Sequence, residues 1–355
     1  MRFRRGGVFL ATAALVLTAC QSATDATVAS VGAAADATAA SDPTPAQASS
    51  PDPNAASSGP AVPATPSAVA TALPSGSAPV PSAPPPSSLA PPKVNGLTWK
   101  PMGRKVRKQH PVWVAQTGHG SIGMMWMNPA LLRFRYIPGY NFPESGPVRR
   151  IDNKPSTWTS RMVAAFNGAF QLKDGAGGYY YDHKTVRPLR NGLSSIVIDR
   201  QGRLTVVDWR NGNHVPAGTR LVRQNMKPLV LHSQARAKSG DARGTWGQAD
   251  HGLPHANRSA LGELADGSLV FAYGSEVSAP AMAQALAGAG AETAIILDMN
   301  KSWPTGFVYD APKGSSPPVG HRIQPSIWRD ASAYLHRFQK DFFVALTRPA
   351  KAPAN

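Results

Sequence analysis

Residues 21–92 contain no Trp, Tyr or Phe and consist almost wholly of Ala, Pro, Ser, Thr, Gly and Val. A stretch of that make-up cannot bury enough apolar surface to offset the conformational entropy of ordering it. Folding is therefore expected only in residues 93–355, which are long enough for one sizeable core and show neither an internal repeat nor a second linker. The interleaved prolines bias 21–92 towards extended, polyproline-like geometry, and we read it as a disordered, semi-stiff tether.

Ahead of the tether, Arg2, Arg4 and Arg5 precede an apolar run from Val8 to Leu17, which is shorter than the roughly 20 residues a permanent bilayer helix needs. It reads as a secretion signal. The following Leu17-Thr18-Ala19-Cys20 resembles the bacterial lipoprotein signal, although a chance cysteine behind an ordinary signal gives the same letters. That resemblance implies acylation of Cys20 and an extracytoplasmic chain anchored by lipid to a bacterial cell membrane or outer membrane. Cys20 is also the only cysteine, so the folded part can hold no disulfide, cysteine-ligated zinc or cysteine nucleophile.

Residues 1–92 carry three Arg and four Asp against a chain total of +17, which leaves the folded part at +18. Such a field attracts polyanions without naming them. The densest cluster, Arg104, Lys105, Arg107 and Lys108, reads on its own as a solvated loop. Nucleic acid accounts for the charge but has no recognisable motif here.

Short apolar or alternating runs between Gly, Pro and Asn predict strands at 111–115, 131–136, 162–166, 194–199, 204–208 and 229–231. Residues 200–203 look like a hairpin turn, and Asp266-Gly267 is a clearer one between strands at 259–264 and 268–273. Ser278 as N-cap, Pro280 in the first turn, the stripe Met282, Ala285, Leu286 and Ala289, and the stops Gly288 and Gly290 predict a short helix. The uninterrupted run 293–297 then predicts a central strand covered on both faces, with Asp298 at its carboxyl end, where ligand crevices form in open α/β sheets. The expected fold is α+β, a single domain on a mixed, largely antiparallel sheet with packed helices.

Three segments together resemble the phosphodiester glycosidase family: Ala164-Ala165-Phe166-Asn167-Gly168-Ala169-Phe170, then Asn257-Arg258-Ser259-Ala260-Leu261-Gly262, and finally Ala289-Gly290-Ala291 through Ile296-Leu297-Asp298. The resemblance spans roughly residues 160–310 and rests on the order and spacing of the three. It implies hydrolysis of a sugar-phosphate diester, with a glycopolymer or glycoconjugate as partner. It does not bring a cofactor with it, and a divalent cation is possible but not indicated. Where the family has Asp-Gly-Gly, this chain has Asp298-Met299-Asn300, and methionine takes up positive φ only at a cost. The loop is therefore expected to be re-shaped for another substrate or catalytically weakened. A non-catalytic module binding anionic envelope glycopolymer is the alternative.

Within that resemblance Asp298 is the candidate nucleophile or base, because a carboxylate ending an apolar strand is costly unless bonded or used. Arg258 is the candidate phosphate ligand, since a guanidinium grips a phosphate through two parallel hydrogen bonds. Asn167 offers donor and acceptors to a sugar hydroxyl or a catalytic water, though by itself Asn167-Gly168 is an ordinary turn. Gly168, Asn300 and Trp303 are candidate substrate contacts. Trp246 is a further aromatic, while Glu263 and Glu276 compete as a second carboxylate. His251 and His255 are spaced i, i+4, but Gly252 and Pro254 between them argue against a helical metal pair, and no metal site is assigned. The three catalytic candidates are expected to converge on one crevice.

Overall fold

The computed structural model describes residues 89–117, 120–141, 154–174, 177–241, 244–247 and 254–349, all within the unit Thr71–Asn355. Cys20, the tether as far as 88, and His251 lie outside them. In chain order the elements are β1 (Lys100–Pro101), β2 (Val112–Gln116), β3 (Ile122–Met127), β4 (Leu132–Ile137), β5 (Met162–Asn167), β6 (Tyr179–Tyr181), β7 (Lys184–Arg187), β8 (Ser194–Asp199) and β9 (Leu204–Asp208). There follow β10 (Thr219–Gln224), β11 (Val230–Leu231), β12 (Gln234–Ala235), β13 (Ala256–Leu264), β14 (Leu269–Val277), α1 (Ala279–Gly288), β15 (Ala291–Met299), β16 (Gly306–Tyr309), β17 (Gly320–Arg322) and β18 (Phe342–Thr347).

These strands form three sheets, ordered β1-β2-β3-β14-β13-β15-β11-β12, β7-β6-β10-β8-β9 and β17-β16-β5-β18-β4. Every pairing between named strands is antiparallel. The fold is thus β-rich, and the expectation of an α+β domain with a mixed sheet and packed helices is corrected: α1 is the one α-helix among the described residues. The local pattern that carried that expectation is real. Ser278 caps α1 by accepting from the Ala281 N–H at 3.2 Å, and the helix leads into β15. However, β14 and β15 are not neighbours: β13 lies between them, antiparallel to both. A helix joining two parallel strands has the same sequence signature whether the slot between them is empty or filled by an antiparallel strand.

Hairpin chemistry follows the sequence closely. Gly267 adopts φ 79°, and the Ser268 N–H donates to Asp266 Oδ1 at 2.8 Å, closing the β13–β14 turn. Gly202, at φ 78°, does the same for β8–β9, where the Arg203 N–H donates to Asp199 Oδ1.

The main core is shared by all three sheets, with Phe271 and Leu297 from the first, Ile196 and Val206 from the second, and Phe166 and Phe343 from the third. A second core lies on the other face of the eight-stranded sheet, where Met282, Ala283 and Leu286 of α1 cover Ala260, Val270 and Ala272. Strands β3, β13, β14 and β15 are consequently buried on both faces. Such strands lose their alternation and read as continuous apolar runs, as 293–297 does.

Candidate functional site

Strand β15 hydrogen-bonds β13 with a register irregularity between Arg258 and Ala260, so a bulge displaces the end of β15 just before Asp298. The carbonyls of Ile296 and Leu297, left out of the ladder there, accept from Asn225 Nδ2 at 2.6 and 2.9 Å. Beyond the bulge, Asp298 keeps one carboxylate oxygen on its own strand end, Oδ1 accepting from the Met299 N–H at 2.7 Å. The other, Oδ2, is paired with the ammonium of Lys340, and both side chains are almost fully buried.

Asp298 and Lys340 lie in the wall of a polar cleft of about 880 Å³. The segment from Phe170 to Asp174 supplies another wall with Lys173 and Asp174, Met299 at the end of β15 and the loop after it to Trp303 contribute Lys301, and Met226, Gly244 and Gly247 complete it. Three lysines and two carboxylates therefore meet in a space wide enough for a disaccharide-sized ligand. Burial pushes the Lys340 ammonium down to about 8, while Asp341 and Asp174 pull it back up.

Of the sequence candidates, Asp298, Asn300 and Trp303 line this cleft; Asn167, Arg258 and Gly168 do not. Asn167 sits one layer behind it. Its Nδ2 donates to Ser259 Oγ at 2.9 Å and to the Gly168 carbonyl at 2.8 Å, while Oδ1 accepts from the Thr305 N–H at 2.9 Å. Ser259 Oγ in turn accepts from the Asp298 N–H at 3.3 Å, so Asn167 reaches Asp298 through one hydroxyl. Gly168 packs against the core: a Cβ there would lie 2.4 Å from Asp341 Cγ.

Arg258 is 3% exposed, and its donors are committed to protein. Nε donates to the Val277 carbonyl at 2.9 Å, Nη2 to Pro254 at 3.1 Å and Nη1 to Trp246 at 3.5 Å, with the Met299 sulfur 3.3 Å from Nη1. Burial lowers its pKa to about 10. It therefore ties the end of β14 and the loop before β13 to the strand that ends at the cleft.

Met299, which follows Asp298, is accommodated without left-handed backbone, because neither it nor Asn300 has positive φ. Backbone comes close at Gly247 instead, φ 85°, where a Cβ would lie 2.5 Å from Met299 Sδ and 2.6 Å from Phe170 Cζ. Asn300 shapes the loop, its Oδ1 accepting from the N–H groups of Ser302 and Trp303, each at 2.7 Å. The Trp303 ring packs edge-on to Phe338 with Lys340 Nζ and Arg329 Cζ each 5.4 Å from its centroid.

Glu263 lies at the other end of β13, pairing with Thr293 where Arg258 pairs with Met299, and its Oε2 accepts from the Val206 N–H at 2.6 Å. Neither it nor Glu276 lines the cleft; Asp174 does. Trp246 is buried, donating to Asp241 Oδ2 at 2.7 Å. Lys340, Lys173, Lys301 and Asp174 went unremarked in the sequence. For Lys340 there was a signal: Lys340-Asp341 directly precedes the apolar run 342–346, the mirror image of Asp298, which directly follows one. Among the described residues no three His, Cys, Asp or Glu side chains gather as a metal would need.

No family model matches the chain, and no curated protein does. Among solved structures it is similar to the zebrafish N-acetylglucosamine-1-phosphodiester alpha-N-acetylglucosaminidase catalytic domain, auto-inhibited by its pro-peptide, at 16% identity and TM-score 0.41. That match covers 71% of this chain and 81% of the other. A hypothetical protein of Synechocystis is similar at 13% identity and TM-score 0.33, over 72% of this chain and 64% of its own. The roles of residues here rest on the site's own geometry.

Proposed function

We propose that the chain is a hydrolase that cleaves a sugar 1-phosphodiester bond in a glycopolymer or glycoconjugate, acting outside the cytoplasm and held to a membrane through Cys20. The observation that carries this reading is a buried, ion-paired carboxylate, Asp298, in the wall of a wide polar cleft that also gathers Lys173, Lys301 and Lys340. The motif resemblance in the sequence supports it independently.

In this reading the lysines receive the phosphodiester, and the anomeric carbon faces Asp298. Either Asp298 Oδ attacks that carbon, or it takes a proton from a water that does; in both cases the bond from the anomeric carbon to the phosphate oxygen breaks and its electron pair leaves on the phosphate. A phosphate monoester is a good leaving group, so positive charge nearby replaces a strong general acid. If Asp298 is the nucleophile, water then hydrolyses the glycosyl ester and frees the sugar. Either step uses Asp298 as a carboxylate, and Lys340 is the cation paired with it. Arg258 and Asn167 act as positioning residues behind the cleft rather than as groups that touch substrate.

One observation favours the second reading, a module that binds anionic envelope glycopolymer without cleaving it: both carboxylate oxygens of Asp298 are already engaged, by Met299 N–H and Lys340. Incubating the purified protein with a panel of sugar 1-phosphodiesters separates the two. Release of free sugar supports the hydrolase, binding without release supports the module, and neither outcome leaves the cleft without a sugar-phosphate role.

A further inference from the structure

The most exposed large apolar side chain among the described residues is Trp328, at 62%. An indole contributes to a fold by being buried, so one left in water is unused by packing. The backbone beneath it is nevertheless held from several sides. Ile327 is buried, and its N–H donates to the Gln324 carbonyl at 3.1 Å. The Tyr273 hydroxyl donates to the Ser326 carbonyl at 3.3 Å. Arg322 of β17 donates from Nε to the Arg329 carbonyl at 2.9 Å and from Nη2 to that of Trp328 at 3.5 Å. The turn therefore presents the ring from a fixed base, as a binding contact requires.

The same turn is fastened to the cleft. Arg329 donates from Nε and Nη2 to the Ser302 carbonyl at 3.4 and 3.3 Å, and Ser302 lines the cleft. The Arg329 guanidinium carbon lies 5.0 Å from the centre of the Trp328 ring and 5.4 Å from that of Trp303, another cleft residue. Two indoles thus share one guanidinium, and their centres are no farther apart than a disaccharide is long. Neither Trp328 nor Arg329 lines the cleft itself.

The surroundings of the ring select its ligand. A protein partner or a bilayer needs a continuous apolar patch. The exposed residues around Trp328 in the chain, Arg322, Pro325, Ser326 and Asp330, do not supply one. A single flat ring among polar groups suits a sugar, whose C–H face packs on the indole while its hydroxyls reach donors and acceptors at the rim.

We propose that Trp328 is a second sugar subsite, outside the cleft, on which a further saccharide unit of the same sugar-phosphate chain stacks. The inference rests on the sugar-phosphate reading of the cleft and deepens it: the substrate is a glycopolymer of repeating units rather than a glycoconjugate that ends at one sugar. No bond forms or breaks at Trp328. The ring holds a longer stretch of chain, so its loss should raise KM on long chains and leave kcat in place.

The test compares chain lengths. Methyl-capped sugar 1-phosphodiesters and the corresponding phosphodiester-linked oligomers are titrated against the parent, Trp328→Ala and Trp328→Phe, with release of free sugar followed on the same samples. The parent should bind oligomers more tightly than the single unit. The weakening caused by Trp328→Ala should grow with chain length, reaching about tenfold on oligomers. Trp328→Phe, which keeps a ring, should recover most of that loss. Val319→Ala, at a residue 59% exposed, should leave binding at every length as in the parent. If Trp328→Ala loses oligomer affinity although the parent releases no sugar, the subsite stands and the hydrolase reading fails. If Trp328→Ala binds oligomers as the parent does while both release sugar, the subsite is overturned and the hydrolase reading stands. Parent affinity that does not rise with chain length also overturns the subsite. So does a Trp328→Ala effect confined to gel-filtration elution or vesicle partitioning, which would assign the ring to a second copy of the chain or to a membrane.

Discussion

Consecutive residues Lys340 and Asp341 each enter a buried ion pair, and the two pairs have different surroundings. Asp341 faces the core. Its Oδ2 accepts from Arg223 Nε at 3.3 Å and from the Tyr136 hydroxyl at 3.0 Å, while Arg223 also donates to the carbonyls of Gln224 and Phe170 and lies 5.7 Å from the Tyr179 ring centre. Among the described residues Lys340 pairs with Asp298 alone, beside Trp303, in the wall of the cleft. Burial by itself does not separate a structural pair from a usable one, since both are almost wholly inaccessible. What separates them is the number of other partners and the presence of solvent-sized space next to one of them. A charge sealed among aromatic rings and backbone carbonyls serves packing, whereas a charge with one partner beside an open cleft is available to a ligand.

The comparison is sharpened by breaking each pair. Asp341→Asn leaves Arg223 charged and enclosed, and should cost about 3–5 kcal/mol of stability in urea unfolding; a loss below 1 kcal/mol would mean that water reaches that pair. Arg258→Lys, which forfeits charged hydrogen bonds to Val277, Pro254 and Trp246, should cost about 2 kcal/mol. The same variant should bind a sugar 1-phosphodiester as the parent does, and a selective loss of binding would return Arg258 to the role of phosphate ligand. Lys340→Met should cost only about 1–2 kcal/mol, because the cleft can hydrate Asp298 once its partner is gone. If it proves as damaging as Asp341→Asn, the two pairs are alike and the distinction fails.

The smallest expected effect lies at the far end of β13. Glu263 has its pKa raised to about 7 by burial, against the opposing Val206 hydrogen bond and Arg203. A carboxyl raised in the folded state holds its proton there after the unfolded chain has lost it, so its contribution to stability falls as pH climbs from about 4.5 to about 7. Glu263→Gln should flatten that slope by on the order of 1 kcal/mol, allowing for the partial exposure of the residue, as read from unfolding curves across the window. A slope identical to the parent would place Glu263 in water.

Much of the hairpin framework was legible because its turns carry their own chemistry, as at Asp266-Gly267 and Arg200 to Arg203. The 194–199 and 204–208 expectations coincide with β8 and β9. What was missed lacks a local signature. β3 is Ile-Gly-Met-Met-Trp-Met, buried on both faces and nearly free of the β-branched residues that mark strands. In β10 the buried Arg223 breaks the apolar pattern, because its partner Asp341 lies 118 residues away. Separation in sequence hid the site as well: Asp298 was visible as the acidic end of an apolar strand, but Lys340, 42 residues on, acquires meaning only when β18 is laid beside β5 and its start comes level with Asn167. Arg258 was visible too, but the carbonyls that occupy its donors come from a loop and from the end of β14, which no motif encodes.

The central claim, that Asp298 is the reacting group of a sugar-phosphate hydrolase, is tested most directly by comparing the parent and Asp298→Asn for release of free sugar from a sugar 1-phosphodiester, with binding measured on the same samples. The account predicts release by the parent, loss of at least about a thousandfold in turnover for Asp298→Asn, and retained binding by a protein with an unchanged circular dichroism spectrum. Equal release by the two proteins, or no release by the parent on any phosphodiester that it binds, would contradict it.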